Sequence, residues 1–146
     1  MGDLSKNFST WEFECPCCKQ VKTDEKLINV LQKLRDIVGR PIIITSGYRC
    51  EKRQKEVNSQ VAFSYHVYGA AADITIKDYS VLQMYILADE CLRGETMSDN
   101  GGIGVYPQEN FIHIDVRNYH ARWGRVNGVY VSLTDTINLM IGFKYA

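Results

Sequence analysis

The run Ser64-Tyr65-His66-Val67-Tyr68-Gly69-Ala70-Ala71-Ala72-Asp73-Ile74 sets an imidazole and a carboxylate seven residues apart, across a glycine and three alanines. A second histidine stands in Phe111-Ile112-His113-Ile114-Asp115-Val116. His66, Asp73 and His113 are nitrogen and oxygen ligands of the kind that hold a catalytic zinc and leave a fourth position for water. Asp73 is the hardest to explain otherwise. It follows three alanines and precedes Ile-Thr-Ile, inside an apolar strand. An unpaired carboxylate there is costly and calls for a cation, either arginine or a metal. His113 repeats the pattern between Ile112 and Ile114. A single histidine such as His66 is ordinarily a hydrogen-bonded structural residue, but three such groups of suitable ligand type point to a metal-dependent hydrolase.

Further groups cluster around these three. Asp115 lies two residues beyond His113, so strand alternation puts both on one face. There it can take a proton from an activated water, orient an imidazole, or simply pair with Arg117 or Arg49. Glu109 and Asn110 precede the same strand and can also reach in. Arg49 closes Thr45-Ser46-Gly47-Tyr48-Arg49-Cys50, leaving a strand through a glycine turn that aims it at a strand end. A guanidinium there suits a substrate carboxylate or an oxyanion, or else an ion pair with an acidic neighbour. Tyr65, Tyr68, Tyr106, Tyr119 and Trp123 can line a groove for a polar, extended substrate or serve as ordinary packing. Ser64, Tyr68 and Tyr106 join Arg49 as the expected substrate-binding residues. His120 falls on a loop rim and is assigned no ligand role.

The elements that must position these residues are legible in outline. Ser9-Thr10-Trp11-Glu12 has capping-box spacing. Asp24 caps a helix whose Leu27, Val30, Leu31, Leu34, Ile37 and Val38 recur on one face, with Gly39 and Pro41 ending it. Pro41 to Thr45 predicts a buried strand, Glu51 to Val57 a charged helix, and Ala70 to Ile76 a second strand with Asp73 near its middle. Ser80 begins a helix carrying Leu82, Tyr85, Ile86 and Leu92. After the turn cluster Ser98 to Gly102, Ile103–Tyr106 and Phe111–Val116 form a hairpin over the four-residue loop Pro107 to Asn110. Val129 to Val131 is a further strand and Thr134 to Ile141 a terminal helix. Helices mixed with hairpin-linked strands predict an α+β domain with a central, mostly antiparallel sheet.

Composition narrows the function classes. The chain has 146 residues, the size of one domain, and residues 1–146 are expected to form a single domain around one core. Lys plus Arg equals Asp plus Glu at 17 each, which argues against nucleic-acid binding by phosphate neutralisation and against a polybasic membrane anchor. No stretch is long and apolar enough to span a bilayer, so no membrane insertion is expected. The N-terminal residues lack the apolar run of a signal peptide, so synthesis in a cytoplasm is expected. Of the five cysteines, Cys15 and Cys18 have the gap of a metal knuckle. No second such pair follows, and half-exposed thiols are the plainer reading. A bridge from this cluster to Cys50 in an oxidising setting, or a redox or second zinc site of Cys15, Cys17, Cys18 and Cys50, are the alternatives.

The motifs together resemble the zinc D-alanyl-D-alanine carboxypeptidase family, more narrowly its small C-terminal-domain type, frequent in phages and prophages. The residues that carry the likeness are Ser46-Gly47-Tyr48-Arg49, Ser64-x-His66-x-x-Gly69-x-Ala71-x-Asp73, Gly101 to Pro107 and Phe111 to Arg117, in that order. The resemblance implies an α+β fold shared with lysostaphin-type peptidases and the hedgehog signalling domain. It implies zinc held by His66, Asp73 and His113, substrate binding by Arg49, and cleavage of stem peptides or cross-links of peptidoglycan by a monomer. Related enzymes place the catalytic carboxylate three residues before the last histidine, where this chain has Asn110. Asp115 is then the first choice of base and Glu109 the second. Action at the cell wall implies delivery in a virion or release by a holin. A reading from another class is a non-catalytic, zinc-stabilised binding or virion-structural module of the same fold.

Overall fold

The computed structural model describes residues 2–58 and 64–145. A 3-10 turn, Thr10–Phe13, opens on the capping box of Ser9 and Glu12. Helix α1, Glu25–Val38, starts where the Asp24 carboxylate accepts the Lys26 N–H, and ends at Gly39 in the left-handed region. Strand β1 is Ile42–Ser46, helix α2 Glu51–Val57, and a second 3-10 turn spans Tyr65–Tyr68. Strand β2 follows at Ala71–Ile76. Helix α3, Val81–Thr96, is capped by the Ser80 hydroxyl. Strands β3 and β4, Gly101–Tyr106 and Phe111–Asp115, form the expected hairpin. Strands β5 and β6, His120–Val126 and Val129–Ser132, lead into helix α4, Leu133–Tyr145.

Among the described residues the strands form one six-stranded sheet in the order β1-β2-β4-β3-β5-β6. Every neighbouring pair is antiparallel except β3 with β5, which is parallel. The expected α+β class with a mostly antiparallel sheet therefore holds. Helices α1 and α3 lie together on the sheet, tied along their seam by Lys33–Glu95 at 2.9 Å and Asn29–Glu95 at 3.1 Å.

Pleat alternation divides the sheet into a core face and a site face. Ala72, Ile74 and Ile76 of β2, Ile103 and Val105 of β3, and Ile112 and Ile114 of β4 join Leu27, Leu31, Leu34, Met84, Ala88 and Leu92 in the core. The alternate residues Asp73, Gly102, Gly104, His113 and Asp115 point the other way. The register sets Ser46, Asp73, His113, Gly104 and Trp123 in one row across five strands.

Three expectations about elements need correction, and the buried face of α3, left open by the sequence, is decided. Strand β1 is an edge strand and only half buried: Ile42 is inside but Ile43 is 53% exposed. In α1, Ile37 lies off the buried stripe and is exposed. In α3 the buried face is Val81, Met84, Ala88, Cys91 and Leu92, whereas Ile86 is exposed. That helix has apolar residues nearly all round, so its pattern alone does not select a face. Strand β5 replaces the expected loop around His120. Its sequence lacks an apolar alternation because Arg122, with only 5% of its side chain exposed, is held by Asp89 at 2.6 Å and by the Gly101 carbonyl.

Gly104 has a steric reason to be glycine. A Cβ there would lie 2.6 Å from the Trp123 indole, which packs 5.2 Å from the His113 ring. Gly104→Ala is expected to lower unfolding stability by about 1–3 kcal/mol through overpacking. Urea denaturation followed by tryptophan fluorescence checks this, and an unchanged midpoint would contradict the packing.

Candidate metal centre

Each ligand comes from a different local device. The Ser64 hydroxyl accepts the His66 N–H at 3.3 Å and starts the 3-10 turn that turns His66 inward. Strand β2 delivers Asp73, and β4 delivers His113 directly opposite it. All three are buried, and one ligand atom from each lies within 4.8 Å of the others.

The partners of the two imidazoles determine which nitrogens face the centre. His66 Nδ1 is 2.7 Å from the Gly47 carbonyl oxygen, which only accepts, so Nδ1 carries the proton. His66 Nε2 then presents a lone pair to Asp73 Oδ1 at 3.2 Å. His113 Nε2 donates to Asp115 Oδ2 at 2.7 Å, and its Nδ1 faces the same Asp73 Oδ1 at 3.2 Å. Burial, only partly offset by Asp73, pulls the His66 pKa down and keeps it neutral. A neutral nitrogen and a carboxylate oxygen thus face each other without a proton between them. A cation satisfies both, and two imidazoles with one carboxylate are a zinc donor set. The residues fit a zinc ion.

The two histidines differ because their outer partners differ. Burial also opposes the charged form of His113, but the carboxylates of Asp115 and Asp73 outweigh it and push its pKa up to about 9. Asp73 and Asp115 both stay well below the usual carboxylate range against the cost of burial. The hydrogen bond and charge of His113 hold Asp73 down, and Arg117 and His113 do so for Asp115.

The structure brings most of the expected site residues together. Arg49 donates from NH2 to Asp73 Oδ2 at 3.1 Å, from Nε to the Ser46 hydroxyl at 3.0 Å and from NH1 to Gln54 Oε1 at 3.0 Å. Arg49, Ser64 and Tyr106 line a cavity of about 530 Å³ whose floor includes His66, Asp73 and His113. Tyr65, Tyr119 and Trp123 also line it. Tyr68 does not: it is 57% exposed and borders neither this cavity nor the next one, because the 3-10 turn that buries His66 directs it elsewhere. Glu109 and Asn110 border a second recess of about 500 Å³, which shares Arg49, Asp73 and Phe111 with the first.

Asp115, offered above as the base, is enclosed by donors. It is fully buried, and each oxygen takes two donors. Oδ1 accepts the Arg117 backbone N–H at 3.1 Å and Nε–H at 2.8 Å, while Oδ2 accepts Arg117 NH2 at 2.6 Å as well as His113. Arg117 in turn lies over the rings of Tyr65 at 4.5 Å, Trp123 at 5.1 Å and Tyr119 at 5.2 Å. Sequence reasoning gave Arg117 only the part of a salt-bridge partner and missed Gln54. A Gln five residues beyond Arg49, in the only inward turn of a charged helix, is a weak signal.

A family model described as peptidase M15 matches residues 6–115. The chain is 30% identical over 99 residues to the peptidoglycan L,D-endopeptidase MepK of Escherichia coli K12, covering 63% of this chain and 50% of that protein. It is 35% identical over 101 residues to the probable peptidoglycan L,D-endopeptidase MepK of Haemophilus influenzae, covering 64% and 50%. The chain thus matches about half the length of these relatives.

Zinc needs a neutral His113, so the metal-free protein must expel a proton to bind it. Apparent zinc affinity is expected to rise about tenfold per pH unit below the His113 pKa and to level off above it. Calorimetry in buffers of different ionisation enthalpy should find one proton released per zinc at pH 7.5, and none would contradict the assignment. Asp115→Asn is expected to weaken zinc binding about 10–100-fold by disturbing the partner of His113.

Proposed function

Because this chain belongs to the peptidase M15 family, we propose that residues 1–146 form one zinc peptidase domain, held together at His66, Asp73 and His113, that cleaves peptide bonds in bacterial peptidoglycan. The observation that carries this reading is the facing set of two imidazole nitrogens and a carboxylate oxygen at the floor of an open cavity. Zinc bound there supplies Lewis-acid polarisation of the scissile carbonyl and activation of water.

The chain's own residues supply the rest. Arg49 uses three of its nitrogens to brace Asp73, Ser46 and Gln54. Its remaining N–H groups serve the carbonyl oxygen or a carboxylate of the substrate. Tyr106, stacked on Phe111 at 4.4 Å, and Trp123 form an aromatic wall against which an extended stem peptide packs. Glu109 takes the proton of the attacking water and passes it to the leaving amine. The support for Glu109 over Asp115 is access. Glu109 is exposed and borders a recess shared with Asp73 and Arg49, whereas Asp115 is sealed by Arg117. Asp115 acts as a positioning residue that fixes the His113 tautomer.

The two recesses favour an endopeptidase over a carboxypeptidase. Both border Arg49, Asp73 and Phe111, leaving room on either side of the reacting bond. The names of the relatives point the same way and make a bond between an L- and a D-residue the first to test. Among the described residues no helix is long and apolar enough to cross a membrane. The proposed site of action is the cell wall, reached by release from the cell or by delivery in a virion.

Digestion of purified peptidoglycan, with muropeptides read by mass spectrometry, should show new stem-peptide fragments that a chelator abolishes and zinc restores. No cleavage by a zinc-loaded chain would favour the non-catalytic module. Glu109→Gln is expected to lower kcat by about 10²–10⁴-fold with zinc content unchanged. If Asp115→Asn does so instead while keeping the metal, the base assignment is reversed.

A further inference from the structure

Three thiols that the peptidase chemistry does not use meet about the other end of the Ser46–Cys50 loop. Cys15 and Cys18 lie in a tight turn closed by the Cys15 N–H donating to the Gln20 carbonyl and the Lys19 N–H to the Cys15 carbonyl, both at 2.9 Å. Lys19 takes a left-handed φ of 63° to make this turn. Cys50, at the start of α2, comes from the opposite side, and the sulfurs of Cys15, Cys18 and Cys50 all lie within 4.8 Å of one another. Cys17 is exposed on the same turn, next to Cys18 but outside the group of sulfurs that lie within 4.8 Å of one another.

We propose that Cys15, Cys18 and Cys50, with Cys17 as fourth ligand, hold a second zinc ion with a structural role. Cys15 Sγ and Cys50 Sγ are 3.6 Å apart. Tetrahedral zinc with bonds of about 2.3 Å requires neighbouring sulfurs about 3.8 Å apart. A disulfide would require about 2.05 Å. The Cys50 backbone N–H points at Cys15 Sγ at 3.5 Å, a donor that favours a thiolate over a thiol. A four-thiolate set is a closed structural site, in contrast to the open His66–Asp73–His113 centre.

The position gives the ion a purpose. Phe13, two residues before Cys15, accepts the Tyr48 N–H at 2.9 Å, and a Cβ on Gly47 would lie 2.7 Å from Phe13 Cα. The N-terminal segment is therefore pressed flush against Gly47 to Cys50. That loop supplies the carbonyl that fixes the His66 tautomer and the guanidinium that braces Asp73. Zinc on the thiolates clamps the segment that carries two of the outer partners of the first centre, those of His66 and Asp73.

The test is metal stoichiometry and ligand type on the full chain, independent of any activity. Native mass spectrometry after zinc loading should show two zinc ions in the unaltered chain, one in His66→Ala/His113→Ala and one in Cys15→Ser/Cys18→Ser. Cobalt substitution of the unaltered chain should give a near-ultraviolet thiolate-to-cobalt charge-transfer band, which a His/Asp/His centre cannot produce. The spectroscopic arm needs no variant to fold. One zinc with no sulfur band, or a mass deficit of two hydrogens marking a Cys15–Cys50 disulfide, would overturn the proposal.

Discussion

The buried carboxylate of Asp73 is the constraint around which the rest of the site is arranged. One oxygen faces a nitrogen of His66 and a nitrogen of His113, each at 3.2 Å, and the other takes the Arg49 guanidinium. Such a group is tolerable in a strand whose alternate residues form the apolar core only because cations surround it. The imidazoles are not free to turn away. The Gly47 carbonyl holds one and the Asp115 carboxylate the other, so their remaining nitrogens are directed at the same point. Preorganisation of this kind lets a metal bind without rebuilding the site.

Sheet geometry makes the convergence possible. The pleat puts isoleucines and valines on one face and the chemistry on the other, and the register places Asp73 beside His113 and Gly104 beside both His113 and Trp123. Small residues keep that face open. A side chain at Gly102 would collide with the carboxylate of Asp115 and with Arg117, and one at Gly104 with Trp123. The Arg117–Asp115–His113 chain then runs from the aromatic rim of the cavity to the metal centre, each link a short charge-assisted hydrogen bond.

Two carboxylates near the same centre differ in their surroundings. Asp115 sits deep in the sheet, where Arg117 saturates it, and its low proton affinity suits an anchor better than a shuttle. Glu109 stands at the loop of the β3–β4 hairpin, exposed beside the second recess. Division of labour between a buried and an open carboxylate is a general way to separate positioning from proton transfer.

The sequence by itself determined the candidate ligand set, the helix caps, the α2 boundaries and the β3–β4 hairpin. Each rests on local chemistry: ionisable groups inside apolar strands, capping residues, a left-handed glycine and a four-residue loop. It left undecided which face of α3 would be buried, since that helix is apolar on several sides and only packing against α1 and the sheet selects one. It did not reveal β5, whose Arg122 is neutralised by Asp89 from a helix some thirty residues earlier. The surroundings of Asp115 were equally out of reach. Alternation along one strand placed it beside His113, but only the return of the chain through Arg117 decided that both of its oxygens would be occupied. The approach of Cys50 to Cys15 across 35 residues likewise belongs to the tertiary structure, because spacing reports what lies along a chain and not what folds back against it.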